Sequence, residues 1–409
     1  RESGAALPAL ETIVVARGAA PAGTLSWDAF RARAAAITAG EAAERARAVV
    51  PDDLSDLIFT AGTTGRPKGV ACSHAQTLGV FRAWSEIVGL DAGDRYLVVN
   101  PYFHTFGYKA GWLACLITGA TCLPQPIFDP ARVLERIERE RVTVLPGPPT
   151  LYQALLHHAD RARRDLSSLR LAVTGAAAIP VELVRRMRDE LGFATVLTAY
   201  GLTESCGVVT MCRRDDALET IAATSGRAIP GVEVRVVDGD GVECPRGRAG
   251  EVCARGYNVM RGYWEDEAAT AQAIDRDGWL RTGDVGVMDE RGNLRITDRI
   301  KDMFIVGGFN AYPAEIENLL LGHPAIAQAA VVGVPDARLG EVGYAFVVPR
   351  PGASVTPDEL IEWARREMAN YKAPRFVELV GELPLSAVGK VLKYVLREKA
   401  REAAGVQRA

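Results

Sequence analysis

The chemistry-bearing stretch of this chain is Thr60–Val70, which reads Thr-Ala-Gly-Thr-Thr-Gly-Arg-Pro-Lys-Gly-Val. Thr60, Thr63 and Thr64 supply hydroxyl donors, and Lys68 supplies an ammonium. Gly62, Gly65 and Gly69 let successive backbone N–H groups turn toward one point, which makes an anion nest. Pro67 stiffens the stem that carries Lys68. Such a loop has what binding a polyphosphate requires. A flexible Gly/Thr turn is the plain alternative. A Walker-type loop does not fit, because Lys68 stands between Pro67 and Gly69 rather than between Gly and Ser/Thr.

Elements on either side must hold that loop. The apolar runs Leu57–Phe59 and Val70–Cys72 flank it, the first read as a strand, and Ser73-His74 can cap a helix running toward Ile87. Ahead of it stand a short strand over 12–15 and an Ala/Arg/Glu-rich helix over about 27–48, capped near Ser26. Behind it, strands at 96–99, 142–145, 169–174 and 195–199 alternate with helices starting at Pro130, Pro149 and Pro180. This order implies a mainly parallel sheet with helices on its faces. Ligands on such sheets sit at the carboxyl ends of strands, which is where Gly175-Ala176-Ala177 and Ala199-Tyr200-Gly201 fall. From about 224 to 297, short strands and Gly/Asp turns describe a β-rich subdomain. Beyond the charged joint Asp298–Asp302 comes an α+β unit, with a capping box at Thr356-Pro357-Asp358-Glu359. The expected organisation is α/β and α+β: a large domain over 1–297, a hinge at 298–301, and a small mobile domain over 302–409.

The 409 residues are 48% hydrophobic and 24% charged, as in a folded chain of about two domains. A net charge of −3 gives no basic field for nucleic acid or an anionic membrane. Seven scattered cysteines without a CxxC pair read as buried thiols in a reducing compartment. Ala110–Phe128 lacks charge, but Thr118-Gly119 and Pro124-Gln125-Pro126 interrupt it. It reads as a buried helix and strand, not a membrane span. No signal peptide is seen, and a cytoplasmic location is expected.

Taken together with later segments, Thr60–Val70 resembles the phosphate loop of the adenylate-forming enzymes: acyl-CoA synthetases, peptide-synthetase adenylation domains and luciferases. Ala61 stands where that family usually has Ser. Tyr200-Gly201-Leu202-Thr203-Glu204, Thr282-Gly283-Asp284, Asp298–Asp302 with Gly307–Glu317, and Pro384–Lys390 match four further family motifs, in family order. The resemblance implies ATP, Mg²⁺ and coenzyme A as cofactors and co-substrate. It places Thr203 on a phosphate, Glu204 at the metal, Tyr200 against adenine, Gly175–Ala177 close to the base, Asp284 on the ribose hydroxyls and Arg299 facing ribose and phosphates. It makes Lys390 the catalytic lysine that bridges the substrate carboxylate and the α-phosphate. Lys301 is then the pivot about which one face of the small domain presents Lys390 for adenylation, and another presents Gly307, Gly308 and Phe309 for thioester formation.

The acid is read from Asn100–Lys109. His104 is placed by the resemblance at the gate between acyl and pantetheine tunnels, with a hydrogen-bonded core histidine as the alternative. Phe103, Phe106, Gly107 and Tyr108 suggest an apolar pocket, and Lys109 reads as solvated, with a contact to a polar group on the acid as the alternative. Amino-acid-activating relatives carry an Asp in this segment, and none occurs between Tyr96 and Cys122. An unpaired ammonium would be costly to bury, so the expected acid is not an α-amino acid. Phe103–Gly119, Val142–Leu155 and Arg295–Ala314 are similar to actinobacterial CoA ligases for steroid-ring propanoates of the methyl-hydrindanedione type. The partners are therefore a carboxylic acid, ATP and CoA, with no nucleic acid. A homodimer is compatible with this reading. Two rival readings remain: an acyl-AMP ligase that loads a carrier protein, and an inactive remnant. The second follows from the 59 residues ahead of Thr60, fewer than the family usually has.

Overall fold

The computed structural model describes residues 10–60, 67–175, 181–300, 302–385 and 391–403. The chain divides into two compact units, Arg1–Asp53 and Leu54–Ala409.

In the first unit, Val14–Val15 pairs in parallel with Leu25–Ser26. Ser26 caps the helix Trp27–Ala32, its hydroxyl accepting from Ala29 N at 3.2 Å. The single helix expected over 27–48 is in fact two. A 3₁₀ turn, Arg33–Ala36, leads to an extended Ile37, and Thr38 starts a new helix, Ala39–Ala48. The cause is a capping box: Thr38 Oγ1 accepts from Glu41 N at 3.2 Å, and Glu41 Oε2 accepts from Thr38 N at 2.8 Å.

The second unit opens with an antiparallel pair, Leu54–Thr60 and Lys68–Ser73, in which Thr60 faces Lys68. Gly262–Tyr263 adds a third strand beside Lys68–Ser73. Ser73 caps the helix His74–Val88 through a box with Gln76. The larger sheet follows the expected alternation. Arg95–Val98 runs parallel to Thr121–Pro124, Val144 bridges Tyr96 and Leu171, and Leu171–Gly175 runs parallel to Thr195–Tyr200. Thr210–Met211 and Arg227–Ala228 complete it antiparallel. The strand expected over 142–145 makes ladder bridges only at Val144, because prolines at 146, 148 and 149 break regular pairing. Helices pack on this sheet through apolar stripes: Val133, Leu134 and Ile137 from Pro130–Glu140, and Leu183, Val184 and Met187 from Val181–Asp189. The uncharged stretch becomes a π-helical turn (Tyr108–Leu113), a short helix (Ala114–Thr118) and the strand Thr121–Pro124. No helix among the described residues is long and apolar enough to cross a membrane.

Next comes an antiparallel sheet of Val232–Val237, Ala249–Gly256, Leu280–Met288 and Leu294–Arg299, around a small core that includes Val252 and Leu294. Thr282-Gly283-Asp284, in a region where Gly/Asp turns were expected between short strands, lies inside the nine-residue strand Leu280–Met288. The ladder to Ala249–Gly256 is irregular between Arg281 and Val285, and Gly283 sits there at φ 70°. Such a bulge re-aims a side chain without ending the strand.

A separate hydrophobic core, drawn from Phe304 to Ala400, holds the C-terminal module. Its long strands Ile326–Asp336 and Gly340–Pro349 pair antiparallel, and Phe376–Leu379 joins the latter in parallel. The helices Pro313–Leu320, Pro357–Glu367 and Lys393–Ala403 bury Ile316, Leu360 and Leu396 in it. The sequence reading passed over the hairpin Phe304–Val306/Phe309–Ala311. Gly307 and Gly308, at φ 57° and 89°, make its two-residue turn.

Candidate active site

Two groups of the expected site residues come together at the strand ends. The first surrounds Asp284. The bulge turns its carboxylate inward, where it is buried. Tyr200, at the end of its parallel strand, donates its hydroxyl to Asp284 Oδ2 at 2.6 Å. Arg299 Nε lies 2.9 Å from Asp284 Oδ1. Burial and the Asp284 charge push the Tyr200 phenol well up, so it stays a donor. Three motifs far apart in the chain thus meet at one carboxylate. Ile300 N donates to Gly283 O at 2.9 Å, tying the joint to the same bulge.

The second group surrounds Glu204. Thr203–Ser205 forms a 3₁₀ turn that closes on Cys206 in the left-handed region, φ 57°. Glu204 Oε1 accepts from the Tyr263 hydroxyl at 2.9 Å. The Lys68 ammonium lies 4.8 Å from the centroid of the Tyr263 ring. Lys68 and Glu204 therefore share a neighbour that the sequence reading did not single out. Gly175 and Gly201 abut backbone: a Cβ there would fall 2.5 Å from Ala199 O and 2.2 Å from Gly207 O.

Beneath this turn lies a buried charge cluster, and it corrects the reading of Lys109. That lysine is 0% exposed. Its ammonium sits 3.0 Å from Asp56 Oδ1, donates to Thr77 Oγ1 at 3.2 Å, and lies 3.2 Å from Cys206 Sγ. Thr77 Oγ1 in turn donates to Asp56 Oδ2 at 3.1 Å. Burial opposes the charge on Lys109, but Cys206, Cys72 and Asp56 outweigh it and raise its pKa. Hydrogen bonding with Cys72, then the Lys109 charge, pull the Cys206 thiol down against its burial. The same contact and burial push Cys72 up. Lys109 is thus engaged in the protein interior rather than solvated. Asp56 lies 53 residues ahead of it, and no local pattern announces the pair.

In the acyl segment, His104 caps a short turn, its Nδ1 accepting from Phe106 N at 3.2 Å. Gly107 is buried, and a Cβ there would meet Asn100 O and Pro101 O at 2.3 Å, so close backbone packing accounts for it. Phe309 is 62% exposed and stacks on Tyr371 at 5.1 Å. Gly62, Thr63, Thr64, Gly65, Ala176, Ala177, Lys301 and Lys390 lie outside the described residues.

Among the described residues no group of three or more His, Cys, Asp or Glu is arranged to hold a metal. A carboxylate that presents one oxygen to Tyr263 suits an ion that arrives with a nucleotide, since Mg²⁺ is commonly held by one or two carboxylates plus substrate phosphates.

Comparison with known proteins bears on the family and the fold. Residues 3–264 match the AMP-binding enzyme family, and residues 315–390 match the AMP-binding enzyme C-terminal domain. The chain is 55% identical, over 96% of its length and 75% of the relative's, to a 3-[(3aS,4S,7aS)-7a-methyl-1,5-dioxo-octahydro-1H-inden-4-yl]propanoyl:CoA ligase of Mycobacterium tuberculosis. It is 53% identical to the ligase of the same name from Rhodococcus jostii, over 92% of this chain and 71% of that one. Among solved structures, ATP-bound MatB from Rhodopseudomonas palustris superimposes with a TM-score of 0.81 at 34% identity, covering 87% of this chain and 69% of that one. From its ordered motifs, its fold and these relatives, the chain belongs to the AMP-binding, adenylate-forming enzymes, as an acyl-CoA synthetase.

Proposed function

We propose that this acyl-CoA synthetase activates a bicyclic, steroid-derived propanoate. The substrate class is supported by the identity to the two propanoyl:CoA ligases across more than nine-tenths of the chain. The nucleotide site is supported by one observation above others, the meeting of Tyr200, Asp284 and Arg299. In this reading Asp284 accepts the ribose hydroxyls, Tyr200 lies along the base with its hydroxyl orienting Asp284, and Arg299 faces the phosphates. Thr60 and Lys68 serve the phosphates together with Gly62, Thr63, Thr64 and Gly65. Thr203 donates to a phosphate oxygen.

In the first half-reaction a substrate carboxylate oxygen bonds to the α-phosphorus, and pyrophosphate leaves. In the second the coenzyme A sulfur bonds to the acyl carbon, and AMP leaves. Lys390 is assigned to the first step and Gly307–Phe309 to the second, with Lys301 as the pivot between them. Glu204 would hold Mg²⁺, whose chemistry when bound is to neutralise phosphate charge. His104 and Phe106 belong to the acyl and pantetheine passage. The seven cysteines are free, which supports a reducing, cytoplasmic setting.

The test is coenzyme A-dependent AMP release across a panel of acids: the bicyclic propanoate, fatty acids and benzoates. Release is expected with the propanoate, and release confined to another class overturns the substrate. Pyrophosphate exchange without CoA-dependent AMP release turns the reading to carrier-protein loading. Lys390→Ala is expected to lower adenylation by about a hundredfold or more, as loss of a charge-stabilising donor does, while thioester formation from supplied acyl-adenylate continues. Equal loss of both half-reactions removes the two-face assignment.

A further inference from the structure

Residues 258–264 run between the Glu204 turn and the strand that begins at Lys68, and they bond to both. On one side, Asn258 Nδ2 donates to Val208 O at 2.9 Å and Met260 N to Glu204 O at 2.8 Å. On the other, Arg261 N donates to Ala71 O at 2.9 Å and Trp264 N to Gly69 O at 2.7 Å. Tyr263 itself is fixed at its backbone, where its N–H donates to Thr270 Oγ1 at 2.8 Å. Its side chain then repeats the bridge. The hydroxyl donates to Glu204 Oε1 at 2.9 Å, and the ring lies under the Lys68 ammonium at 4.8 Å. Burial first, and then the Glu204 charge, push the Tyr263 phenol up, so it remains a donor at neutral pH.

We propose that Tyr263 is a positioning residue for adenylation, holding Lys68 and Glu204 at a set spacing so that ATP meets the cation and the carboxylate together. This rests on the reading above that both groups serve the nucleotide. Without Tyr263, a flexible ammonium and a flexible carboxylate would have to be ordered by the ligand, and the lost freedom would weaken binding. Two contacts on one ring can be separated by mutation. Tyr263→Phe keeps the ring under Lys68 and removes the bond to Glu204. Tyr263→Leu removes both.

The experiment is calorimetric titration of the full chain with ATP at a series of Mg²⁺ concentrations. Thermal unfolding and thioester formation from supplied acyl-adenylate are measured on the same samples. Tyr263→Phe is expected to raise the Mg²⁺ concentration for half-maximal ATP binding about tenfold, the low end for one hydrogen bond to a charged group. At saturating Mg²⁺ its ATP affinity should stay near wild type. Tyr263→Leu is expected to weaken ATP binding by a further three- to tenfold or so, through the lost cation–π contact. Glu204→Gln is run in parallel, and adding Tyr263→Phe to it should have no further effect on the Mg²⁺ dependence. If Glu204→Gln shifts the Mg²⁺ dependence and Tyr263→Phe does not, the positioning role is overturned. If Glu204→Gln leaves it unchanged, the assignment of Glu204 itself falls. If Tyr263→Phe lowers the unfolding midpoint and the thioester half-reaction together with ATP binding, its role is structural and the proposal fails.

Discussion

Two carboxylates, the half-buried Asp56 and the buried Asp298, are satisfied in different ways. Asp56, under the Thr203–Cys206 turn, faces the Lys109 ammonium and the Thr77 hydroxyl. Asp298, at the joint before the C-terminal module, accepts from two backbone N–H groups among the described residues: Arg299 N at 2.6 Å and Ala314 N at 2.7 Å. Lys393 attracts it from the last helix, while Glu317 repels it from the helix that Ala314 begins, and burial raises its pKa to about 6. The floor is a closed charge pair with no reason to change between states. The joint holds a carboxylate whose charge is lost close to neutral pH, on the segment that ties the module to the Asp284 bulge. The contrast supports the proposal that the nucleotide lies over a fixed floor while the C-terminal module moves.

The largest test of this contrast is Lys109→Met. It leaves the half-buried Asp56 without its cation, and removing one partner of a buried pair costs at most about 3–5 kcal/mol. Urea unfolding should register that loss, and Lys109→Met combined with Asp56→Asn should recover much of it. If the single variant is as stable as wild type, the floor is not held by charge.

At the joint the effect is one of pH. The folded pKa of Asp298, about 6, lies above its ordinary value of 3.8. The folded state therefore binds the proton more tightly than the unfolded state does. The stability this contributes is complete below about pH 4 and is lost as pH rises through about 6. A shift of about two units corresponds to roughly 3 kcal/mol as an upper bound. Asp298→Asn should remove that slope from an unfolding series between pH 4 and 7. A slope that persists unchanged would assign the titration to another group.

The smallest effect is expected at Tyr200→Phe, which frees one Asp284 oxygen while Arg299 still holds the other. A lost bond to a charged acceptor is worth about 1.5–3 kcal/mol at most. About a tenfold rise in the KM for ATP, with kcat little changed, would place Asp284 in ground-state nucleotide binding. A drop in kcat alone would move the joint's role into the chemical step.

Local signals carried well. Thr356 and Glu359 form the capping box read from their spacing, with Thr356 N donating to Glu359 Oε2 at 2.8 Å. Asp129 with Pro130 starts the helix whose buried residues are Val133, Leu134 and Ile137. The helix Pro149–His157 begins at the proline expected to open it. Where local cues compete the outcome was harder to read, as at Thr38, whose side chain divides one Ala-rich helix into two, and at Gly283, where a turn signal became a bulge inside a strand.

What the sequence by itself determined is therefore the order of the elements and the types of chemical group at their ends, because capping, apolar period and motif spacing act over a few residues. The family, too, was legible from five motifs in order. The partners of those groups were decided only by the tertiary structure. Lys109 looked like a surface lysine until Asp56, Thr77 and Cys206 closed around it. Tyr263 looked like any aromatic until it came to lie between Lys68 and Glu204. The physical reason is that a charge or a hydroxyl takes its role from burial and from its nearest opposite group, and both are set by segments far away in the chain.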